Sequence, residues 1–167
     1  METTSAESAA QYEEMLSRPD IDTIAERYEE MRAAIRRQVV ADLGLSSWIN
    51  GYKQSSSGCR DYPAVDQKFK ESRGLSGWYS EGNLPDEKWP AAVRIVTEIA
   101  GRYGFGDLIT VVDRPGDHEI SLHDQYGGEL IFGTKLSTIL SLRTGCHLLP
   151  EGKGSGSPSS SPPVSSR

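Results

Sequence analysis

LITVVDRPGDHEISLHDQYGGELIFGTKLSTILSLRT, residues 108–144, is the stretch whose reading decides the fold. Leu108 to Asp113 is a β-branched run that stops at Arg114-Pro115-Gly116, a turn. His118 to Asp124 alternates, with Ile120 and Leu122 on one face. Tyr126-Gly127-Gly128 turns the chain into Glu129 to Phe132, and Ser137 to Thr144 supplies the last long strand. Period-two runs joined by tight turns pair antiparallel, because a parallel pair needs a long crossover.

Working outward, the pattern switches to a helical period upstream. Asp86 to Tyr103 carries an apolar stripe of Trp89, Val93, Val96, Ala100 and Tyr103, with Asp86 as N-cap and Pro90 in the first turn. Gly104-Phe105-Gly106 ends it as a glycine C-cap, with Phe105 placed to pack back. Before it, Ser47 to Lys53 (SWINGYK) and Gly74 to Glu81 (GLSGWYSE) place aromatics in short extended runs. Further back, Ile24, Tyr28, Met31, Ile35 and Val39 mark one face of a long helix over Ser17–Leu43. Ser17-Arg18-Pro19-Asp20 reads as its capping box and Gly44 as its stop, with Glu26, Glu29, Glu30, Arg36 and Arg37 on the solvent face. The order α-β-β-α-β-β-β predicts an α+β domain of two layers. Its sheet is antiparallel, with about five strands and two long helices on one face.

The ends read as tether. Residues 1–11 are a flexible polar spacer, 12–150 the single domain, and 151–167 (EGKGSGSPSSSPPVSSR) a tail whose composition predicts disorder. Nine of the chain's 24 acids fall in residues 1–30 against Arg18 and Arg27, while the rest of the chain is close to neutral. That distribution, with a pI near 5.1, gives no basic footprint for nucleic acid. No apolar run approaches the ~20 residues needed to span a bilayer.

Candidate chemistry is sparse. His118, His123 and His147 fall in the C-terminal sheet region, but an offset of five puts His118 and His123 on opposite faces of a strand, so no metal is expected. Asp117, Glu119 and Asp124 read as solvated carboxylates rather than a catalytic pair. Ser55-Ser56-Ser57 lacks a nucleophile elbow and reads as a loop. Gly101 to Gly106 lies at a helix C-terminus, where an anion cradle cannot form. No catalytic residue and no cofactor is expected. Trp48, Tyr52, Trp78 and Tyr79 are the candidate ligand or partner surface: alternation sends Trp48 and Tyr52 to one face, and Trp78 and Tyr79 to opposite faces. Cys59 and Cys146 sit near strand ends, and spacing leaves two readings open, a bridge or two separate buried thiols.

The chain resembles the LppA/LppV-type lipoproteins of mycobacteria and related actinobacteria, a cell-envelope family of unassigned function. The resemblance covers about residues 12–149. It rests on Arg18-Pro19-Asp20-Ile21 leading into a long helix, a Trp48 strand followed by Gly58-Cys59, and the Gly77-Trp78-Tyr79 strand. A helix ending Arg102-Tyr103-Gly104 and the terminal Thr144-Gly145-Cys146-His147-Leu148-Leu149 complete it. The resemblance implies a Cys59–Cys146 disulfide, of the kind an oxidising compartment preserves. It implies an extracytoplasmic location, held at the membrane or wall by a lipid anchor. Met1-Glu2-Thr3-Thr4 departs from such a precursor, which carries a signal peptide and a lipid-accepting cysteine. A soluble form begun just past that cysteine accounts for this start. A truncated gene model or a cytosolic relative is the other account.

Two function classes follow. One is a non-enzymatic, monomeric envelope ectodomain that binds a partner protein or an envelope lipid or glycan. The other is a small cytosolic enzyme or an immunity-type inhibitor, which predicts reduced cysteines and a pocket of convergent polar groups.

Overall fold

A single antiparallel sheet organises the computed structural model, which describes residues 5–155. Nine strands are present among them: β1 (Trp48–Tyr52), β2 (Ser55–Ser57), β3 (Lys70–Gly74), β4 (Gly77–Glu81), β5 (Gly106–Arg114), β6 (Asp117–His123), β7 (Glu129–Thr134), β8 (Ser137–Arg143) and β9 (His147–Leu148). The main path runs β1-β4-β8-β7-β6-β5, and β3 joins β2, β8 and β9 beside it. All six expected strands form. The total of nine exceeds the expected five or six because β2, β3 and β9 are held by backbone pairing rather than by buried alternation. SSS and KESRG carry no apolar signal to read.

Register explains the core. Phe132 lies opposite Ile120 and Leu140, Leu140 opposite Trp78, and Leu130 opposite Leu122 and Leu142. Of these only Trp78 keeps some exposure; the others are buried on one face. Helices α2 (Ile21–Leu43) and α3 (Trp89–Gly101) pack their stripes onto that face, as the two-layer reading requires. Gly44 closes α2 at φ 70°, where its N–H donates to the Val40 carbonyl. The Lys88 ammonium donates to the Leu43 carbonyl at 2.9 Å and ties the start of α3 to the end of α2.

Three readings of the ends change. Helix α1 (Ser5–Ser17) begins inside the stretch read as spacer, with Met15 buried beside Val65, Cys146 and Leu148. Its stripe of Tyr12, Met15 and Leu16 is too short to stand out, and its packing partners are distant in sequence. Ser17 does not cap the long helix: its hydroxyl donates back to Glu14, and Asp20 accepts the Thr23 N–H at 2.8 Å instead. Pro19 separates the two helices, because the residue before a proline avoids helical geometry. Helix α4 (Pro150–Ser155) occupies the start of the stretch read as a disordered tail. The remainder of that expectation, 156–167, lies outside the described residues.

Cys59 and Cys146 are bonded, with Cα atoms 5.8 Å apart. The bond crosses 87 residues of sequence and pins the segment between β2 and β3 to the end of the sheet. No helix among the described residues is long and apolar enough to cross a membrane.

Candidate functional site

The four aromatics singled out by sequence do not form one surface. Asn50 lies opposite Trp78, but Tyr52 lies opposite Gly77, so Gly51 is an extra residue in β1. That bulge moves Tyr52 to the face that carries Tyr79, away from Trp48. Alternation gave the wrong face for Tyr52 because the strand does not keep its period. The two tyrosine rings cover glycines: a Cβ on Gly51 would sit 2.5 Å from the Tyr79 ring, and one on Gly77 the same distance from the Tyr52 ring. Tyr52 is 69% exposed on this outer face.

Trp48 and Trp78 turn the other way, towards α2, and line a groove of about 680 Å³. The Trp48 indole N–H donates to the Arg36 carbonyl at 3.2 Å. The Arg36 guanidinium lies 3.8 Å above the Trp78 ring, a cation–π contact. Ala33, Val40 and Ala41 form the helix wall, and their small side chains keep the space open. Burial pushes the Arg36 guanidinium below its ordinary range, and neighbouring Arg32 adds to the effect. Arg36 Nη1 and the Trp78 indole N–H are both buried with no hydrogen-bond partner among the described residues. Arg32 has Glu29 as its ion pair; no ion pair is made to Arg36 or to exposed Arg37 among the described residues. Sequence reading placed both on the solvent face of the helix. Their position on the wall facing Trp48 and Trp78 depends on where β1 and β4 pass, which helical periodicity does not encode.

The histidines are separate and each is engaged. His118 lies between Asp113 (Nδ1, 2.9 Å) and Asp86 (Nε2, 2.8 Å), with Trp89 stacked on the ring. Asp86 therefore does not cap its helix; it accepts the Gly116 amide and His118 and clamps the β5–β6 hairpin to the start of α3. Those two contacts, the amide first, hold its carboxyl below the usual range. His123 faces Glu129 at 3.5 Å. No group of three metal-ligating side chains occurs among the described residues. Asp117 pairs with Arg114, and Asp124 is no solvated acid: it accepts the amides of Tyr126 and Gly128 and the Tyr28 hydroxyl. Burial and that carboxylate push the Tyr28 hydroxyl well above its ordinary value.

A second polar centre surrounds Arg18, which sequence reading treated only as part of a helix cap. Its guanidinium donates to the carbonyls of Tyr126 (3.1 Å) and Cys146 (2.8 Å) and to the Tyr62 hydroxyl (2.7 Å). The rings of Tyr62 and Tyr126 both lie within 5.4 Å of it. Beside it, His147 donates from Nδ1 to the Pro19 carbonyl at 2.8 Å, while its Nε2 is buried without a partner. Every one of these contacts joins residues far apart in sequence, so no local pattern announces them.

His147 gives a pH prediction. Burial, reinforced by the Arg18 charge, depresses its folded pKa below the ordinary value. A depressed imidazole contributes stability that is complete above the unfolded pKa of ~6.5 and is lost as pH falls below it. The thermal midpoint is expected to be flat above neutrality and to decline between about pH 6.5 and pH 5. The lowered carboxyls of Asp20 and Asp86 act only at more acidic pH. His147→Asn, whose amide can keep the Pro19 bond, should flatten the decline in that window. An equal slope in both proteins would assign it elsewhere.

Comparison with known proteins places these features. A family model described as "LppA: Lipoprotein confined to pathogenic Mycobacterium" matches residues 1–150. The crystal structure of LppA from Mycobacterium tuberculosis is similar at a TM-score of 0.72, with 16% identity over 96% of each chain. A DUF4853 family protein from Actinomyces odontolyticus is similar at 0.58, with 17% identity, over 78% of this chain and 70% of that one. At these identities the two structures speak to the fold. No curated protein matches the chain.

Proposed function

This chain belongs to the LppA lipoprotein family, and from that premise we propose that it is an envelope lipoprotein ectodomain that works by binding rather than by catalysis. One observation carries the non-catalytic half of the reading. The side chains best suited to chemistry are already committed to holding elements together, His118 by two carboxylates and His147 by the Pro19 carbonyl, with Asp124 at its turn. The Cys59–Cys146 bond supports an oxidising compartment. One concave, largely apolar surface open to a ligand is the groove between α2 and the Trp48 and Trp78 strands.

The experiment is fractionation of the native host carrying a C-terminally tagged chromosomal copy, with protease added to intact cells. The tagged protein should appear in the envelope fraction and be cleaved from outside. A protease-protected protein in the soluble cytosol would overturn the reading and favour a cytosolic enzyme or immunity-type inhibitor.

A further inference from the structure

The geometry points to a specific occupant for the groove: a long-chain alkyl carboxylate, its head at Arg36 and its chain along the apolar wall. This rests on the reading of the protein as a binding module and deepens it. The protein carries a net −6, yet the groove holds two guanidinium groups, Arg36 and Arg37, without an acid between them among the described residues. Glu29, the acid of α2 whose charge reaches Arg36, makes its ion pair with Arg32. An anion is the complement of such a site.

Two donors then define the head. Arg36 Nη1 and the Trp78 indole N–H are withdrawn from solvent with no acceptor supplied, an arrangement that costs free energy unless an acceptor arrives. Two donors fit a planar head with two oxygens. A phosphate brings a third oxygen and more charge than the two buried, unpartnered donors match. Arg36 lies across the Trp78 ring on the wall of the groove, so a head bound at its Nη1 has the charge beside it.

The remaining lining defines the tail. Ala33, Val40, Ala41 and the Trp48 ring present hydrocarbon, and Ser47 adds one small polar group. The volume of about 680 Å³ falls within the ~300–1,000 Å³ of small-molecule sites. Trp48 is already hydrogen-bonded through its nitrogen, so its ring serves as an apolar surface and not as a second polar anchor. A sugar ligand, by contrast, needs an open ring face and several hydroxyl partners, and the Trp78 face is occupied by Arg36.

The test is equilibrium titration of the full oxidised chain with sodium hexadecanoate below its micellar concentration. Tryptophan fluorescence is the readout, with hexadecanol, hexadecyl phosphate and sodium acetate in parallel. Saturable binding of hexadecanoate is expected, with hexadecanol and acetate each at least about tenfold weaker. Arg36→Gln should weaken hexadecanoate by about tenfold or more through loss of a charge-assisted hydrogen bond, with the circular dichroism unchanged. Ala41→Trp, which fills the groove from the exposed side of α2, should abolish binding without touching the head site. No saturable signal, equal affinity for hexadecanol, or full affinity in Ala41→Trp would each overturn the proposal. Tighter binding of hexadecyl phosphate would overturn the choice of head group. Failure here leaves fractionation of the tagged protein untouched, so the two readings fall separately.

Discussion

Replacing Cys59 and Cys146 together by alanine is expected to lower the free energy of unfolding by about 4–5 kcal/mol, the chain-entropy value for a loop of this length. The bond closes 87 residues of sequence, more than half the described chain. Nearly the whole effect comes from the unfolded state, which gains freedom when the crosslink is gone. In the folded state the consequence is local. Residues 58–66 contain no helix or strand, and Cys146 is buried in the small cluster of Met15, Val65 and Leu148. Urea denaturation of the oxidised protein and the double variant measures the difference directly. A loss under about 1 kcal/mol would mean that the Arg18 bond to the Tyr62 hydroxyl and the bonds from the Lys70 ammonium to the Asp61 and Tyr62 carbonyls hold this segment without the disulfide.

Arg18→Met carries the second large effect, a loss of about 3 kcal/mol or more. Arg18 is 9% exposed, and its guanidinium is the shared donor for two carbonyls from different loops and one tyrosine hydroxyl. Methionine preserves the apolar contact with Tyr62 and Tyr126 and leaves those acceptors without their donor, which isolates the polar share of the loss. Arg18→Lys should fall between, because one ammonium cannot reproduce the fork geometry that reaches three acceptors. Arg18 donates to the carbonyl of Cys146 itself, so its loss and the disulfide's should be non-additive in a double-mutant cycle. Strict additivity would show that the two act on independent parts of the fold.

What sequence could and could not reveal follows from the physics of each element. Strands β6 to β8 were legible because buried side chains alternate along them and tight turns fix the register, whereas β5, exposed along most of its length, was legible from its β-branched run and the turn that ends it. The α2 and α3 stripes were legible for the same reason at the helical period. Helix α1 was not, since its burial depends on Val65, Cys146 and Leu148. Strands β2, β3 and β9 are defined by the backbone partners they meet. The Gly51 bulge turned one of four expected site aromatics to the other face, and only the pairing with β4 reveals it. Arg36 was present in the pattern but assigned to solvent, and it lies on Trp78. A charge on a helix flank tells its function only when the neighbouring strand is known. The disulfide pairing came through family resemblance, since spacing left the two cysteines open.

The oxidation state of the two cysteines in the living cell tests the proposed exported, disulfide-locked domain most directly. Cells of the native host are quenched with an alkylating agent, and the protein's intact mass is taken before and after reduction, followed by peptide mapping. The account predicts a protein two hydrogens lighter than its reduced form, unalkylated, with the Cys59 and Cys146 peptides recovered as a linked pair. Recovery of both cysteines as alkylated free thiols in folded protein would contradict it.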